Sequence, residues 1–585
     1  MELKYFMNAY AISLSKYVNT GIFALFTILS YLSFTIRKKG VSRAVEIIQR
    51  LLLAAFLINA NMTIAWFVRG AAGRKLTLLC AMEILFLISF MVLYRIVHEM
   101  ANMFLFNNIC MLLSVGFVAV SRIAFYGSAE STAFRGNEPI KQFVMASAGL
   151  MFMLVIPFFR KLFDSMRHLG IVFAGVGIAA LAGVLLLSSA TNGAMITYTI
   201  AGFTFQPSEF VKILFILFLA AMLSGEVTVD KAVFVSILSI IHVGILVRSR
   251  DLGSALIFFM VYLMMLFLAS GKWSVIAAGL FVGSVGAVVC YYLFYHVQIR
   301  VNIWRDPFAL INDEGYQIAQ SLFAISYGGL WGAGLTQGLP TDIPYVESDF
   351  MFSAITEEMG LIFSVCLLFL CLNCFIRILM LSASYSNRFF QLYTYGAAVC
   401  YIFQIFLTVG GETKFIPLTG VTLPLVSYGG SSIMSTLLML GIVEMVYILH
   451  EERTAGFMQR YEQEQLQAEA EAAYASANAE DNPYNGALVP SSGNPDAYVR
   501  DNAGSDYGGD FSRESYSADR TADTFGQTHA DPGQEYGPEE DNFPVNGVSE
   551  EGIFDNYSYQ DGRPSSGEDT KTDYYGFYRP DGMKK

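Results

Sequence analysis

Long apolar segments alternate with short polar segments along most of the chain. A run of about 17 to 25 mostly apolar residues is long enough to cross the hydrocarbon layer of a bilayer as a helix. The pattern therefore predicts an all-α polytopic membrane protein with about thirteen transmembrane helices. The predicted spans are residues 17–36, 51–69, 77–96, 104–126, 143–160, 169–189, 207–224, 231–248, 252–270, 273–295, 350–376, 389–411 and 430–449.

The composition supports this fold class and separates the end of the chain from the rest. Hydrophobic residues make up 54% of the 585 residues and charged residues only 15%, which is outside the range of soluble domains. Residues 451–585 hold 28 acidic and 10 basic residues and few aliphatic ones. After a short helical run at 461–477, this segment cannot bury enough apolar surface to fold, so we expect a disordered acidic tail. Its charge argues against binding to anionic lipid or nucleic acid.

Basic residues set the expected orientation, because cytoplasmic loops carry an excess of Lys and Arg. The loops at 37–50 and 160–168 are the most basic, which places the N-terminus outside and the tail in the cytoplasm. The basic loop 69–75 would then be an external exception. The long connection 296–349 lies on the outer side, and its aromatic and glycine content predicts an ordered element lying at the membrane.

The segment GFTFQPSEFVK (202–212) opens one predicted span. Pro207 suits a first helical turn, and Glu209 and Lys212 lie one turn apart on the same face. The local pattern favours a capped helix with a structural ion pair. The alternative is a charged pair that faces an interior cavity.

The segment RSRDLGSAL (248–256) places Arg248, Arg250 and Asp251 at a turn between two spans. Interfacial anchoring is the simpler interpretation. The alternative is a phosphate site, because a guanidinium group matches the geometry of phosphate oxygens.

Two prolines and three glycines break the segment FIPLTGVTLPLVSYGGSS (415–432), which is too apolar for a solvated loop. Broken backbone at membrane depth is tolerated where protein or a water-filled cavity covers it. A loop and a cavity-lining segment are both consistent with this pattern.

Four carboxylates occur in IPYVESDFMFSAITEEMG (343–360), where an apolar span begins. Carboxylates in a membrane are costly unless they are paired or line a wet cavity. Glu357 and Glu358 lie about two helical turns deeper than Asp349, so we expect them to serve packing or to line a cavity with a basic partner. Asp349, at the mouth, could cap the helix or meet a polar headgroup.

Together these motifs resemble the SEDS family (shape, elongation, division and sporulation), the RodA/FtsW-like proteins of bacterial cell-wall synthesis. The resemblance covers residues 104–450. It rests on NGA (192–194), FQPSEFVK, DLGSAL, GYQIAQS with GGLWGAGL, IPYVESDFMFSAITEEMG and PLTGVTLPLVSYGGSS, in this order. The resemblance implies a ten-helix core, preceded by about three additional helices in residues 1–103 and followed by the tail 451–585.

The resemblance also implies a peptidoglycan glycosyltransferase in the bacterial cytoplasmic membrane. Such an enzyme polymerises lipid II, a disaccharide-pentapeptide on an undecaprenyl diphosphate carrier, at the outer face. It works with a class B penicillin-binding protein that supplies transpeptidation. Asp349 in ESDF matches the family's essential acid. It would act either as the base for the attacking hydroxyl or as the ligand of a divalent cation, Mg²⁺ or Mn²⁺, held against the diphosphate.

The predicted substrate-binding residues come from the same motifs and from the long connection. They are Glu209, Lys212, Arg248, Arg250, Asp251, Arg300, Gln317, Gln320, Glu347, Ser427 and Ser431. The sequence departs from the family before Asp349, where Tyr345, Val346, Glu347 and Ser348 stand in place of the usual Glu-X-His-Thr, so that the usual Glu and His are missing. Two other functions remain open: a transporter of lipid-linked precursors, although the two halves show no inverted repeat, and a non-catalytic scaffold.

Overall fold

The computed structural model describes residues 2–36, 38–68, 70–124, 137–187, 198–200 and 203–480. Apolar runs form helices there because a helix satisfies its own backbone groups inside a bilayer. The helices are α1 (Glu2–Leu32), α2 (Lys39–Val68), α3 (Gly70–Val97), α4 (Met103–Ala124), α5 (Glu138–Val155), α6 (Arg160–Ser165), α7 (Gly170–Leu187), α8 (Pro207–Leu223), α9 (Val229–Arg248), α10 (Leu252–Ser270), α11 (Trp273–Leu293), α12 (Tyr295–Arg305), α13 (Tyr316–Gly328), α14 (Val346–Asp349), α15 (Met351–Ser384), α16 (Arg388–Glu412) and α17 (Gly430–Glu480).

The predicted all-helical, membrane-spanning class is confirmed, with one local addition. Within the described residues, ten helices are long and apolar enough to cross a membrane: α2, α3, α4, α5, α9, α10, α11, α15, α16 and α17. The other three predicted spans coincide with α1, α7 and α8. The count of thirteen stays a prediction. A short antiparallel hairpin, β1 (Tyr198–Ile200) and β2 (Phe203–Phe205), lies between α7 and α8, with Tyr198 opposite Phe205.

Helix α4 lies at the centre of the bundle. Within its apolar window, 94% of the residues are buried, because α2, α5 and α15 pack around it. Further helix pairs complete the core, including α5 with α17, α15 with α16 and α7 with α8. Large aromatic side chains such as Phe106, Tyr393 and Tyr401 are fully buried between them.

The first helices share this core. Helix α1 packs on α2 and α15, and the ring of Phe23 stacks on Phe363 with a centroid distance of 4.3 Å. The predicted boundary at residue 103 stays a prediction. Helix α17 continues to Glu480 and so includes the start of the predicted tail. Residues 481–585, where the predicted disorder falls, lie outside the described residues.

The connection 296–349 is ordered, as predicted. It consists of most of α12, all of α13, a short turn at Pro340–Asp342 and α14. Helix α13 packs against α15 and buries Ile318, Ala319 and Ala324. The packing brings this connection against the segment that joins α16 to α17.

Candidate active site

Asp349 lies at the junction of two helices. It ends α14, and Phe350 precedes α15 as its N-cap residue, with no side-chain capping bond. The interpretation of Asp349 as a helix cap is therefore wrong. Phe350 is fully buried in a small apolar cluster with Ile318, Ile343 and Val346. Burial of this ring fixes the junction and leaves the carboxyl group of Asp349 partly exposed towards a cavity.

The cavity has a volume of about 340 Å³ and is formed by three stretches of chain. One is a face of α12, the second is the start of α13 with the turn around Tyr345, and the third is the connection from α16 to α17. The lining residues are His296, Ile299, Arg300, Ile303, Trp304, Glu314, Gln317, Ile318, Tyr345, Asp349, Gly411, Lys414, Ile416, Leu418 and Gly420.

Helix α12 holds the third stretch in place through two donors one turn apart. Arg300 Nη1 donates to the carbonyl oxygens of Leu418 and Thr419 at 3.1 and 3.0 Å. Trp304 Nε1 donates to the carbonyl oxygen of Lys414 at 3.2 Å. This arrangement brings Gly420, which has a φ of +73°, beside the acid, since a Cβ atom there would lie 3.6 Å from Asp349 Oδ2.

The charges in the cavity act on one another. Burial raises the pKa of Asp349, while its hydrogen bond with Ser348 and the charge of Arg300 oppose the rise. Burial lowers the pKa of Arg300, against the opposing effect of Asp349 and Asp251. Burial and the nearby arginine charges lower the pKa of His296. The site thus combines the carboxyl group of Asp349, which can accept a proton, with cationic groups suited to an anionic ligand.

Glu412 fixes the start of α15, next to Asp349. Glu412 Oε2 accepts hydrogen bonds from the backbone N–H of Ser353 at 2.7 Å and from its hydroxyl group at 2.8 Å. The Phe352 N–H group donates to Glu412 Oε1 at 3.4 Å. The first amides of a helix have no partner within it, so these hydrogen bonds stabilise the helix start. Our sequence reasoning missed Glu412, although an acid at the end of an apolar span was a usable signal.

The deeper acids bind partners away from the cavity. Glu358 forms an ion pair with Arg122 of α4, with 2.8 Å between Glu358 Oε1 and Arg122 Nη2. Glu357 Oε1 accepts a hydrogen bond from the N–H group of Leu339 at 2.8 Å. Glu358 thus has the expected basic partner but serves helix packing, and neither acid lines the described cavity.

The predicted pair in FQPSEFVK is also buried. Lys212 Nζ lies 2.6 Å from Glu209 Oε2 and donates to Gln404 at 3.0 Å. Ser435 of α17 donates to Glu209 at 2.9 Å. These contacts tie α8 to α16 and α17. Glu209 and Lys212 therefore form the structural ion pair that the local sequence pattern favoured. The pair does not line the described cavity.

Asp251 caps α10, accepting from the N–H group of Ser254 at 3.1 Å. Arg248 and Arg250 are exposed at the same turn, and Arg250 has a φ of +65°. None of these three lines the cavity, although the charge of Arg250 acts on His296. The turn therefore borders the site.

The remaining predicted residues divide between the cavity and its surroundings. Arg300 and Gln317 line the cavity with Asp349. Four others do not line it: Gln320, Glu347, Ser427 and Ser431. The Glu347 carbonyl oxygen accepts from the Tyr428 N–H group at 2.7 Å, which joins ESDF to the VSYGG turn.

Sequence reasoning also missed several lining residues, including His296, Trp304, Glu314 and Lys414. A usable signal existed on α12, where residues 296, 300 and 304 follow one another at four-residue spacing and so share a helix face. Lys414 gave no comparable signal, because the course of the connection after α16 brings it to the cavity, and that course is not evident from the sequence.

The described side chains do not by themselves complete a site for a divalent cation. Across the described ranges, no group of three or more His, Cys, Asp and Glu side chains is placed to hold a metal ion. Two carboxylates, those of Asp349 and Glu314, line the cavity beside Arg300 and Lys414, and Mg²⁺ is often held by one or two carboxylates together with substrate phosphates and waters. The predicted cation stays a prediction.

Comparisons with known proteins agree with the architecture. The family model of FtsW, RodA and SpoVE, described as a cell cycle protein, matches residues 100–453. The chain belongs to this family. The peptidoglycan glycosyltransferase RodA of Mycobacterium tuberculosis is 32% identical over 357 residues, which cover 58% of this chain and 76% of that protein. The resemblance to the SEDS family is thereby confirmed.

Two further relatives extend the comparison. The probable peptidoglycan glycosyltransferase FtsW of Methylomonas methanica is 28% identical over 365 residues, covering 59% of this chain and 92% of that protein. A solved structure described as "Structural coordination of polymerization and crosslinking by a peptidoglycan synthase complex" is similar with a TM-score of 0.52 and 26% identity. The match covers 60% of this chain and 98% of that one.

Proposed function

We propose that this chain is a peptidoglycan glycosyltransferase that polymerises lipid II, with Asp349 as its catalytic base. The observation that carries the proposal is that Asp349, Arg300 and Lys414 line one cavity. Membership of the family and the names of the relatives support the enzyme class. The cavity adds the chemistry, because glycosyl transfer from a diphosphate carrier needs a proton acceptor and cationic groups close together.

In the proposed step, a sugar hydroxyl group attacks the anomeric carbon of the lipid-linked donor. A new glycosidic bond forms, the bond from the anomeric carbon to the diphosphate oxygen breaks, and the hydroxyl proton passes to Asp349. Arg300 and Lys414 balance the negative charge of the departing diphosphate. Burial raises the pKa of Asp349, which makes the carboxylate a stronger proton acceptor than an exposed one.

We also propose that the reaction takes place at the outer face of the cytoplasmic membrane and that the tail lies in the cytoplasm. A class B penicillin-binding protein is the proposed partner. Support for the orientation comes from the basic loops at 37–50 and 160–168. Support for a crosslinking partner comes from the similar solved structure, whose description joins polymerization and crosslinking in one complex.

The test supplies purified protein and its partner with lipid II and examines the glycan products. We expect polymer from wild type and none from Asp349→Ala. Asp342→Ala is the matched control, because Asp342 is an exposed acid in the same connection outside the cavity. Equal polymerisation by wild type and Asp349→Ala would overturn the role of Asp349. Movement of labelled lipid II across the liposome membrane without polymer would favour a transporter. The absence of both polymer and movement would favour a scaffold.

A further inference from the structure

Helix α1 lies outside the region that the family model matches, yet it contacts the connection 296–349, which carries Asp349. We propose that Lys16 of α1 is a positioning residue that holds Asp349 in place through residues 329–339, here named the glycine loop. The effect on catalysis rests on the function proposed above. The claim that Lys16 holds the glycine loop rests only on contacts within the chain.

Two consecutive residues of α1 grip two consecutive residues of the glycine loop. Lys16 Nζ donates a hydrogen bond to the carbonyl oxygen of Gly332 at 2.9 Å. The ring of Tyr17 packs edge-on against Trp331, with a centroid distance of 5.1 Å and an angle of 62°. Because the lysine donor is charged, its bond to the carbonyl group is stronger than a neutral one.

Helix α1 is itself firmly placed, so Lys16 is a fixed anchor. Asn59 of α2 donates to Asn19 at 2.8 Å, which ties α1 to α2 on the Lys16 side. Farther along α1, Phe23 stacks on Phe363 and the Tyr31 hydroxyl group donates to the carbonyl oxygen of Phe369 at 2.8 Å. These contacts fix α1 against α15 at residues 363 and 369.

The glycine loop replaces helical hydrogen bonds that α15 lacks. Gly360, with a φ of +87°, breaks the helix into residues 351–359 and 361–384. The N–H groups of Ala333 and Gly334 donate to the carbonyl oxygens of Glu357 and Glu358 at 2.9 and 2.8 Å. They thereby satisfy carbonyl groups at the end of the first part, which a broken helix leaves without helical partners.

The second part of α15 is joined to the same loop. Its first N–H groups, those of Leu361 and Ile362, donate to the carbonyl oxygens of Gly329 and Leu330 at 2.9 and 3.2 Å. The first part of α15 follows Asp349 by two residues. Its start is held by Glu412, and its end is held by a loop that Lys16 clamps at Gly332. Loss of the lysine therefore loosens one support of the segment that places Asp349, beside those from Glu412 and from the ion pair between Glu358 and Arg122.

The first measurement separates kcat from KM. In the full chain with its partner and lipid II, we expect Lys16→Met to lower kcat by about 10-fold with little change in KM, since a small misplacement of a reacting group slows chemistry more than binding. Lys16→Arg restores the donor and should recover most of the rate. Lys39→Met is the control, because Lys39 is an exposed lysine at the start of α2. Unchanged kcat in Lys16→Met overturns the proposal.

The second measurement does not depend on activity. Amide hydrogen exchange should accelerate in Lys16→Met at residues 332–334 and 361–362, and stay unchanged in the control. Faster exchange throughout the chain would show a general structural role and overturn the proposal, as would no change in the loop. If wild type itself makes no polymer, the proposed function fails, and the exchange result alone decides whether Lys16 holds the loop.

Discussion

Arg300 and Asp349 line one cavity from two separate parts of the chain, and each charge favours the ionised form of the other. Arg300 also binds the carbonyl groups of Leu418 and Thr419, next to Gly420 and the carboxyl group of Asp349. A single guanidinium group thus binds the backbone that forms one wall of the cavity and stabilises the ionised form of Asp349.

The pH dependence follows from the ionised form of Asp349. A carboxyl group accepts a proton only when it is ionised, so the polymerisation rate should fall as pH drops through its pKa in the folded protein. Burial raises that pKa above 3.8, the ordinary value, so the acid limb should be centred above pH 3.8. Initial rates across a pH series will measure it. A rate that stays constant down to pH 3.8 would contradict the base role.

Arg300→Gln should move this acid limb to higher pH and raise KM. Removal of the positive charge ends its lowering effect on the pKa of Asp349 and weakens binding of a diphosphate. Arg305→Gln is the matched control, because Arg305 lies on the same helix, is exposed and does not line the cavity. The same pH series checks both variants, and an unshifted limb in Arg300→Gln would count against the coupling.

Arg122→Met should destabilise the fold by about 3–5 kcal/mol, because it leaves the buried carboxylate of Glu358 without its ion pair. The matched control is Arg160→Met at the pair between Arg160 and Glu452. That pair is more than two-fifths exposed, and such pairs contribute about 0–1 kcal/mol. Thermal unfolding of both variants in detergent gives the comparison. Equal midpoints would show that the Arg122 pair contributes no more than an exposed one.

Gly332→Ala should destabilise the protein and abolish polymerisation. A Cβ atom at Gly332 would lie 2.3 Å from the carbonyl oxygen of Glu358, and φ at Gly332 is +78°. This contact is with a backbone atom and not with the end of a flexible side chain, so it can be relieved only if the backbone of the glycine loop shifts. Gly286→Ala is the control, since nothing lies within 4 Å of a Cβ atom there. Thermal unfolding and polymer yield of both variants decide the point, and a fully active Gly332→Ala would contradict it.

Glu412→Gln should lower stability by about 1–2 kcal/mol, because the amide nitrogen would replace one of the two oxygens that accept hydrogen bonds from the backbone at the start of α15. The polymerisation rate should fall as well, since the helix start follows Asp349 directly. Glu226→Gln, at an exposed acid, serves as the control. Unfolding midpoints and initial rates check the prediction. A Glu412→Gln protein that matches wild type in both would show that Glu412 does not support the helix start.

The positions of the helices follow from the sequence, because bilayer thickness sets the length of an apolar run that can span it. Every predicted span coincides with a helix, and the order in 296–349 was also predictable from its composition. The family resemblance pointed to Asp349, and the structure places it in a cavity with the predicted Arg300 and Gln317. The break at Gly360 was not predicted, because it falls inside the single span predicted at 350–376.

The partners of buried charges that are distant in the chain were decided by tertiary structure alone, whereas the local pair of Glu209 and Lys212 was predictable from its spacing. Arg122 and Glu358 are 236 residues apart, and Glu412 and Ser353 are 59 apart. Hydropathy determines which residues enter the bilayer, but the contact between two side chains depends on how distant helices pack and on where each is broken. The sequence by itself therefore determined the spans and, through the family, the acid. Only the packed helices determined what surrounds that acid and what holds it.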